Sequence, residues 1–273
     1  MVENLLRIVY ALVATSSFSI LLGAGLAIAS RRLKVRSEER IESLISVLPG
    51  LNCGICGYAG CELYAKALAS ETESDIAKCS PGGSDTQNSL AKLLGIDAGE
   101  VSTRMVARLA CLGDSRVARK EFNYLGYYDC ESAYSQFHGD KGCKYGCLGL
   151  GSCAKSCPVD AISYTGTGLV RVNAELCIGC EICVAVCPTA VMTMIPEDAK
   201  WFVACKSKDP PKLTKNLCRA GCIGCRICER KFPNSGFVVS DNLSVQIYND
   251  DANEEEQRAA SAACPPKCII SIC

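Results

Sequence analysis

Apolar and polar positions divide the chain into two unequal parts. No charged side chain occurs from Ile8 to Ala29, and about 22 residues at about 1.5 Å each span roughly 33 Å, enough to cross a bilayer's hydrocarbon core. One single-pass transmembrane helix is predicted. Arg31, Arg32, Lys34 and Arg36 follow at once, and the positive-inside rule then puts everything after the helix on the cytoplasmic face of the inner membrane. A cleaved signal peptide ending at Ala27-Ile28-Ala29 is the competing reading; the stretch is long for one, and its basic cluster lies behind it rather than in front.

Beyond the basic cluster, Glu38 to Leu48 reads as a short amphipathic helix broken by Pro49-Gly50. Glu62 to Ser70 reads as a second helix, and Val101 to Leu109 carries a helical pattern. Alternating runs then predict two β-hairpins. Ala161–Tyr164 and Leu169–Val172 flank the turn Thr165-Gly166-Thr167-Gly168, and Phe237–Val239 and Ser244–Tyr248 flank Ser240 to Leu243. Five segments are expected: an anchor over 1–30, a small domain over 31–90, a linker or helical region over 91–140, and two further modules over 141–200 and 201–273.

Composition changes this picture through one residue type. The 273-residue chain has 22 cysteines. Its 29 basic and 29 acidic side chains balance, so nothing suggests nucleic-acid binding. Disulfide scaffolds tend to be short and lack repeated C-x2-C-x2-C runs, whereas a chain facing the reducing cytoplasm keeps thiolates free for metal. Cys177, Cys180, Cys183 and Cys187-Pro188 fill every position of the bacterial run C-x2-C-x2-C-x3-C-P, in which three cysteines bind one [4Fe–4S] cluster and the fourth binds its neighbour. Zinc sites more often come as separated C-x2-C pairs.

The crossing rule groups the remaining cysteines. Upstream, Cys147, Cys153 and Cys157-Pro158 occupy three positions of the same run, with Leu150 at the second. Cys143 is the nearest replacement, which gives one cluster on Cys143, Cys147, Cys153 and Cys187 and another on Cys157, Cys177, Cys180 and Cys183. Cys222, Cys225 and Cys228 are followed by Phe232-Pro233, and aligning Cys264-Pro265 with Cys187-Pro188 puts Glu254, Gln257 and Ala260 where three cysteines are expected. The four losses make up one cluster's ligand set; the four retained residues, Cys222, Cys225, Cys228 and Cys264, make up the other's. Cys53, Cys56, Cys61 and Cys79 supply a fourth site, with structural zinc as its alternative.

The expected fold class is therefore α+β: an N-terminal transmembrane helix, a small cysteine-rich Fe–S domain and tandem bacterial-ferredoxin-like (βαβ)2 modules, the last degenerate with one cluster. So little apolar core implies that folding and cluster loading are coupled. Four clusters take sixteen cysteines. Cys111, Cys130, Cys205, Cys218, Cys268 and Cys273 are left over and are read as packing thiols, with a fifth cluster as the alternative. Cys218 nevertheless precedes Cys222 by four residues as Cys143 precedes Cys147, and Val203-Ala204-Cys205 echoes Leu109-Ala110-Cys111. No catalytic constellation is seen: His138 is the sole histidine, and no glycine-rich nucleotide fingerprint follows a predicted strand.

Several stretches together carry a resemblance to a known family. The apolar helix with its basic flank, Leu48-Pro49-Gly50-Leu51-Asn52-Cys53-Gly54-Ile55-Cys56-Gly57-Tyr58-Ala59-Gly60-Cys61, Cys79-Ser80-Pro81-Gly82-Gly83 and Lys144 to Cys153 resemble the B subunit of the Rnf ion-translocating electron transport complex, over nearly the whole chain. The resemblance implies an electron-transfer subunit that accepts electrons from soluble reduced ferredoxin. It implies relay to other subunits of the membrane complex, toward NAD, with Na+ or H+ moved across the membrane, and no substrate-transforming site of its own. It further implies cluster ligation by Cys53, Cys56, Cys61, Cys79, Cys157, Cys177, Cys180, Cys183 and Cys187. The alternative from the residues alone is an electron-transfer subunit of another membrane oxidoreductase, such as a hydrogenase or reductase.

Overall fold

The computed structural model describes residues 10, 15–26, 28, 36–99, 103–249 and 252–272. Residues 15–26 are helical, with Phe18, Ile20 and Leu21 about two-thirds exposed or more (65%, 70% and 72%). Much of the Ile8–Ala29 stretch lies outside the described residues, and among the described residues no helix is long and apolar enough to cross a membrane.

The first body is helical. α1 (Arg36–Val47), α2 (Cys61–Ala69) and α3 (Gly83–Leu94) close on Leu44, Tyr64, Leu68 and Leu90, all 0–1% exposed. α3 stops at Gly95, whose left-handed conformation (φ 70°) lets its N–H reach the Ala91 carbonyl. Tyr64 pins the loop after α2, its hydroxyl donating to the Asp75 carbonyl at 2.8 Å.

The second body runs β1 (Met105–Leu109), α4 (Cys130–Tyr134), α5 (Ser152–Lys155), β2 (Ile162–Tyr164), β3 (Val170–Val172), α6 (Ile182–Ala185) and β4 (Met192–Pro196). β1 pairs antiparallel with β4, Val106 facing Ile195, and β2 with β3, Ile162 facing Val172. The first strand thus closes on the last around an inner hairpin. The helical pattern expected over Val101 to Leu109 is corrected here: Met105–Leu109 is a strand, and positions 101 and 102 lie outside the described residues. So short a segment gains little as an isolated helix, whereas pairing with β4 satisfies its backbone and buries Val106 and Ala107.

The third body repeats the order with β5 (Trp201–Val203), α7 (Pro211–Leu217), α8 (Ile227–Lys231), β6 (Phe237–Ser240), β7 (Leu243–Gln246), α9 (Glu254–Ala263) and β8 (Ile269–Ser271). β5 pairs with β8 and β6 with β7, all antiparallel. α9 begins at Asn253, whose side chain accepts from the Glu255 and Glu256 amides at 2.9 and 3.2 Å. Its fully buried Ala260 packs with Phe237, Val239 and Leu243, and Phe232 joins from the side. Apolar packing therefore occupies positions where the aligned run would place cysteines.

The two units are stitched together by backbone. Arg119 N–H donates to the Leu217 carbonyl at 2.8 Å and Arg219 N–H to the Val117 carbonyl at 3.1 Å, with a β-bridge between Ala118 and Cys218.

Candidate metal centres

Every cysteine run in the two units is built on the same backbone device. The residue before the second position is a glycine in the left-handed region: Gly149 (φ 75°), Gly179 (φ 67°) and Gly224 (φ 57°). A Cβ at Gly179 would lie 2.6 Å from the Met105 carbonyl oxygen and one at Gly224 2.7 Å from the Asn242 backbone, so the run can press onto its neighbouring strand only without a side chain. Gly151, Glu181 and Arg226 then enter the short helices α5, α6 and α8 in left-handed conformation. The residue three after the cysteine of each cysteine-proline pair is left-handed as well: Asp160, Ala190 and Lys267.

The helical body gathers its four cysteines differently. Cys61 opens α2, and its amide donates to Asn52 Oδ1 at 2.9 Å. Cys53 and Cys56 lie on the loop before it, and Cys79 sits between two 3-10 turns. Burial pushes the Cys79 thiol up to about 11, the backbone of Gly82 opposes this, and the fields of Cys61, Cys56 and Cys53 raise it further, so the four stand together.

In the second body Cys157, Cys177, Cys180 and Cys183 line one cavity, as grouped from the sequence. Two of these sulfurs accept backbone hydrogen bonds, Cys177 from Ala107 N–H at 3.4 Å and Cys157 from Ala161 N–H at 3.3 Å. Such donors favour the thiolate over the thiol. A second cavity is lined by Cys147, Cys153, Cys187 and Cys130, not Cys143. The expected quartet is corrected accordingly. Leu150 is answered by Cys130, brought in from 20 residues before the run's second position by the first turn of α4. Asp129 caps α4, Cys130 N–H donates to Ser152 Oγ at 2.8 Å, and Lys155 Nζ reaches the Tyr128 carbonyl at 2.9 Å. Cys143 belongs to a tight turn closed by Gly146 N–H at 3.0 Å and lines a different cavity with Cys111, Cys205 and Cys218. No local signal marks Cys130, because its place is set by a long loop folding back.

In the third body Cys222, Cys225, Cys228 and Cys264 line one cavity together with Cys268. Ser244 donates to Cys222 Sγ from its amide at 3.4 Å, and its hydroxyl lies 3.3 Å from Cys228 Sγ. Cys268 is 1% exposed, its sulfur 3.7 Å from that of Cys264. Its S–H hydrogen-bonds toward Cys222 and Cys264, which draws both of those thiols down to about 6 while Cys268 itself is pushed up. At the positions of the missing ligands, Gln257 Nε2 donates to the Ser235 carbonyl at 3.2 Å and Glu254 pairs with Lys200 at 2.5 Å. Elsewhere burial raises the thiols of Cys147, Cys153 and Cys183 to about 12. No described cysteine is in a disulfide, and no three described His, Cys, Asp or Glu side chains are grouped closely enough to share one ion. His138 stacks on Tyr134 with ring centroids 4.8 Å apart.

A family model described as a 4Fe-4S dicluster domain matches residues 144–194, and one described as "Putative Fe-S cluster" matches residues 48–81. The B subunit of the Na(+)-translocating ferredoxin:NAD(+) oxidoreductase complex of Acetobacterium woodii is 34% identical over 92% of this chain and 74% of its own length. The B subunit of the ion-translocating oxidoreductase complex of Methanosarcina acetivorans is 33% identical over 94% and 98%. The chain belongs to this B-subunit family. The B subunit of the proton-translocating ferredoxin:NAD(+) oxidoreductase complex of Clostridium ljungdahlii, 35% identical over 97% of the chain and 93% of its own length, agrees. As a family member the chain is an iron–sulfur protein with an electron-transfer role in an ion-translocating oxidoreductase complex, alongside that complex's other subunits. The dicluster match includes Cys147 to Cys187 but neither Cys130 nor Cys143, and it ends before the third body.

Proposed function

We propose that this B subunit accepts electrons from soluble reduced ferredoxin and passes them to the other subunits, toward NAD reduction coupled to movement of Na+ or H+. Two of the relatives, from Acetobacterium woodii and Clostridium ljungdahlii, are subunits of ferredoxin:NAD(+) oxidoreductase complexes, which supports this reading. The observation that carries it is the succession of thiol quartets along the molecule. The Ser80 hydroxyl, beside Cys79, donates to the Gly179 carbonyl, beside Cys180, at 3.4 Å, and Cys153 and Cys183 are buried in one core.

Four [4Fe–4S] clusters would be held by Cys53, Cys56, Cys61 and Cys79; by Cys157, Cys177, Cys180 and Cys183; by Cys130, Cys147, Cys153 and Cys187; and by Cys222, Cys225, Cys228 and Cys264. The donor sets fit: three of the quartets line a cavity, and sulfurs in them receive backbone N–H bonds. Bound clusters supply reversible one-electron chemistry. The chain's own residues fix the spacing of neighbours, exclude water from the sulfurs, and set potentials through N–H···S bonds and burial. The apolar stretch before Arg31 is proposed as a single-pass inner-membrane anchor with the iron–sulfur bodies on the cytoplasmic side, supported by the exposed Phe18, Ile20 and Leu21.

The test is anaerobic purification of the full chain, with iron, zinc and acid-labile sulfide assayed and the protein then mixed with reduced ferredoxin. Iron and sulfide in equal amounts, with rapid reduction of the clusters by ferredoxin, is the expected result. Zinc without sulfide sinks the reading.

A further inference from the structure

We propose that Cys111, Cys143, Cys205 and Cys218 hold a further [4Fe–4S] cluster, in a site that the two ferredoxin-like units build jointly at their interface. The proposal rests on the electron-carrier reading above and adds a link to it.

The four thiols line one cavity between the units.

The arrangement is two-fold. Each unit gives one cysteine two residues after its first strand (Cys111 after β1, Cys205 after β5) and one four residues before its first run (Cys143 before Cys147, Cys218 before Cys222). The hydrogen bonds follow the same symmetry. Cys111 Sγ accepts from Gly113 N–H at 3.3 Å and Cys147 N–H at 3.5 Å; Cys205 Sγ accepts from Ser207 N–H at 3.4 Å and Cys222 N–H at 3.2 Å. Cys143 and Cys218 are hydrogen-bonded in turn by the backbone two residues on, at Tyr145 and Ala220. Four sulfurs with an N–H donor at the same offset match the environment of the other quartets. A Cβ on Gly113 would stand 3.4 Å from Cys111 Sγ and 3.5 Å from Cys218 Sγ, which places sulfurs of both units beside one residue.

Charge also fits. A cluster with a 2+ core and four thiolates is a net dianion, and Lys141, 6% exposed, reaches the cavity with its ammonium on the carbonyls of Gly113 (2.8 Å) and Cys147 (2.6 Å). A buried ammonium with carbonyl partners gains from an anion close by. Loading from two ferrous ions, two ferric ions and four sulfides would replace four S–H bonds by four Fe–S bonds and release four protons, with no net redox change.

The place of the site gives it a role. Cys111 touches the Cys147 amide and Cys205 the Cys222 amide, so the site lies between the quartet of Cys147 and that of Cys222. An electron taken from one neighbour would be handed to the other, joining the third body to the rest.

The test is an iron and sulfide count on anaerobically reconstituted full-length protein, with EPR-monitored redox titration, for the wild type and for Cys111→Ser, Cys205→Ser and Cys268→Ser. The expected wild-type content is about 20 iron and about 20 sulfide per chain, at four per cluster. Each of the first two variants should fall to about 16 and lose one titrating component, and Cys268→Ser should keep the full count. A wild-type count of about 16 overturns the proposal even if a variant fails to fold, as does loss of the extra cluster only in Cys268→Ser. Zinc with negligible sulfide in the wild type would instead defeat the electron-carrier reading itself.

Discussion

Serine at Cys130 and serine at Cys143 are expected to damage different clusters, although sequence spacing alone would send both to one. Cys130→Ser should remove about four irons from the quartet of Cys147, Cys153 and Cys187. Cys143→Ser should leave that component's EPR signal in place. An identical spectrum for the two variants would refute the grouping. In the third body the same comparison separates ligand from neighbour: Cys264→Ser should lose a cluster, whereas Cys268→Ser should keep it with a shifted potential, because only its S–H contact to the ligand sulfurs is removed. At Glu73 the issue is proton linkage. Lys78 first, then the Asp75 amide and the Tyr58 hydroxyl, hold its carboxyl down at about 2. A folded-state pKa below the ordinary value near 4.5 contributes stability that is complete above about 4.5 and fades as pH falls toward 2. The gap in thermal midpoint between wild type and Glu73→Gln should therefore stay constant from pH 8 to 5 and narrow only below about 4.5; a gap that narrows between pH 8 and 6 would contradict this.

At the scale of elements, legibility follows the range of the interaction. The C-x2-C-x2-C runs, both hairpins and the helices at Arg36–Val47 and Cys61–Ala69 were open to sequence reasoning, because spacing, alternation and Pro-Gly breaks are local. Met105–Leu109 was not: its strand conformation comes from a partner at Met192–Pro196, far along the chain, and tertiary pairing overrides a weak local preference. The alignment that set Glu254, Gln257 and Ala260 against three cysteines anticipates what α9 does, which is to fill with packed helix what a second ligand set would occupy. Gly224 tests the device shared by the runs. Gly224→Ala should cost about 1–3 kcal/mol, through left-handed strain and the clash with Asn242, read as a lowered denaturation midpoint with loss of the Cys222 cluster first. An unchanged midpoint would mean that the run does not depend on that close approach.

For the whole molecule, local spacing does not show how the modules meet, and Met105–Leu109, expected within a linker or helical region, pairs with Met192–Pro196 of the second body. Cys111 and Cys205 were visible as an echo and Cys143 and Cys218 as another, yet only the docking of the two units turns two echoes into one set of four. Removing residues 1–35 should release the protein from membranes into the soluble fraction while leaving its iron content unchanged, as measured by fractionation and iron assay; retention in the membrane would place the attachment elsewhere.

A site with two ligands on each side of an interface is also a cross-link. Bonds through a shared inorganic core would tie position 111 to 205 and 143 to 218, closing long loops as a disulfide does and restricting the unfolded chain in the same way. Oxygen or a chelator that strips this one cluster would then do more than break a conductor: it would unfasten the two halves of the molecule.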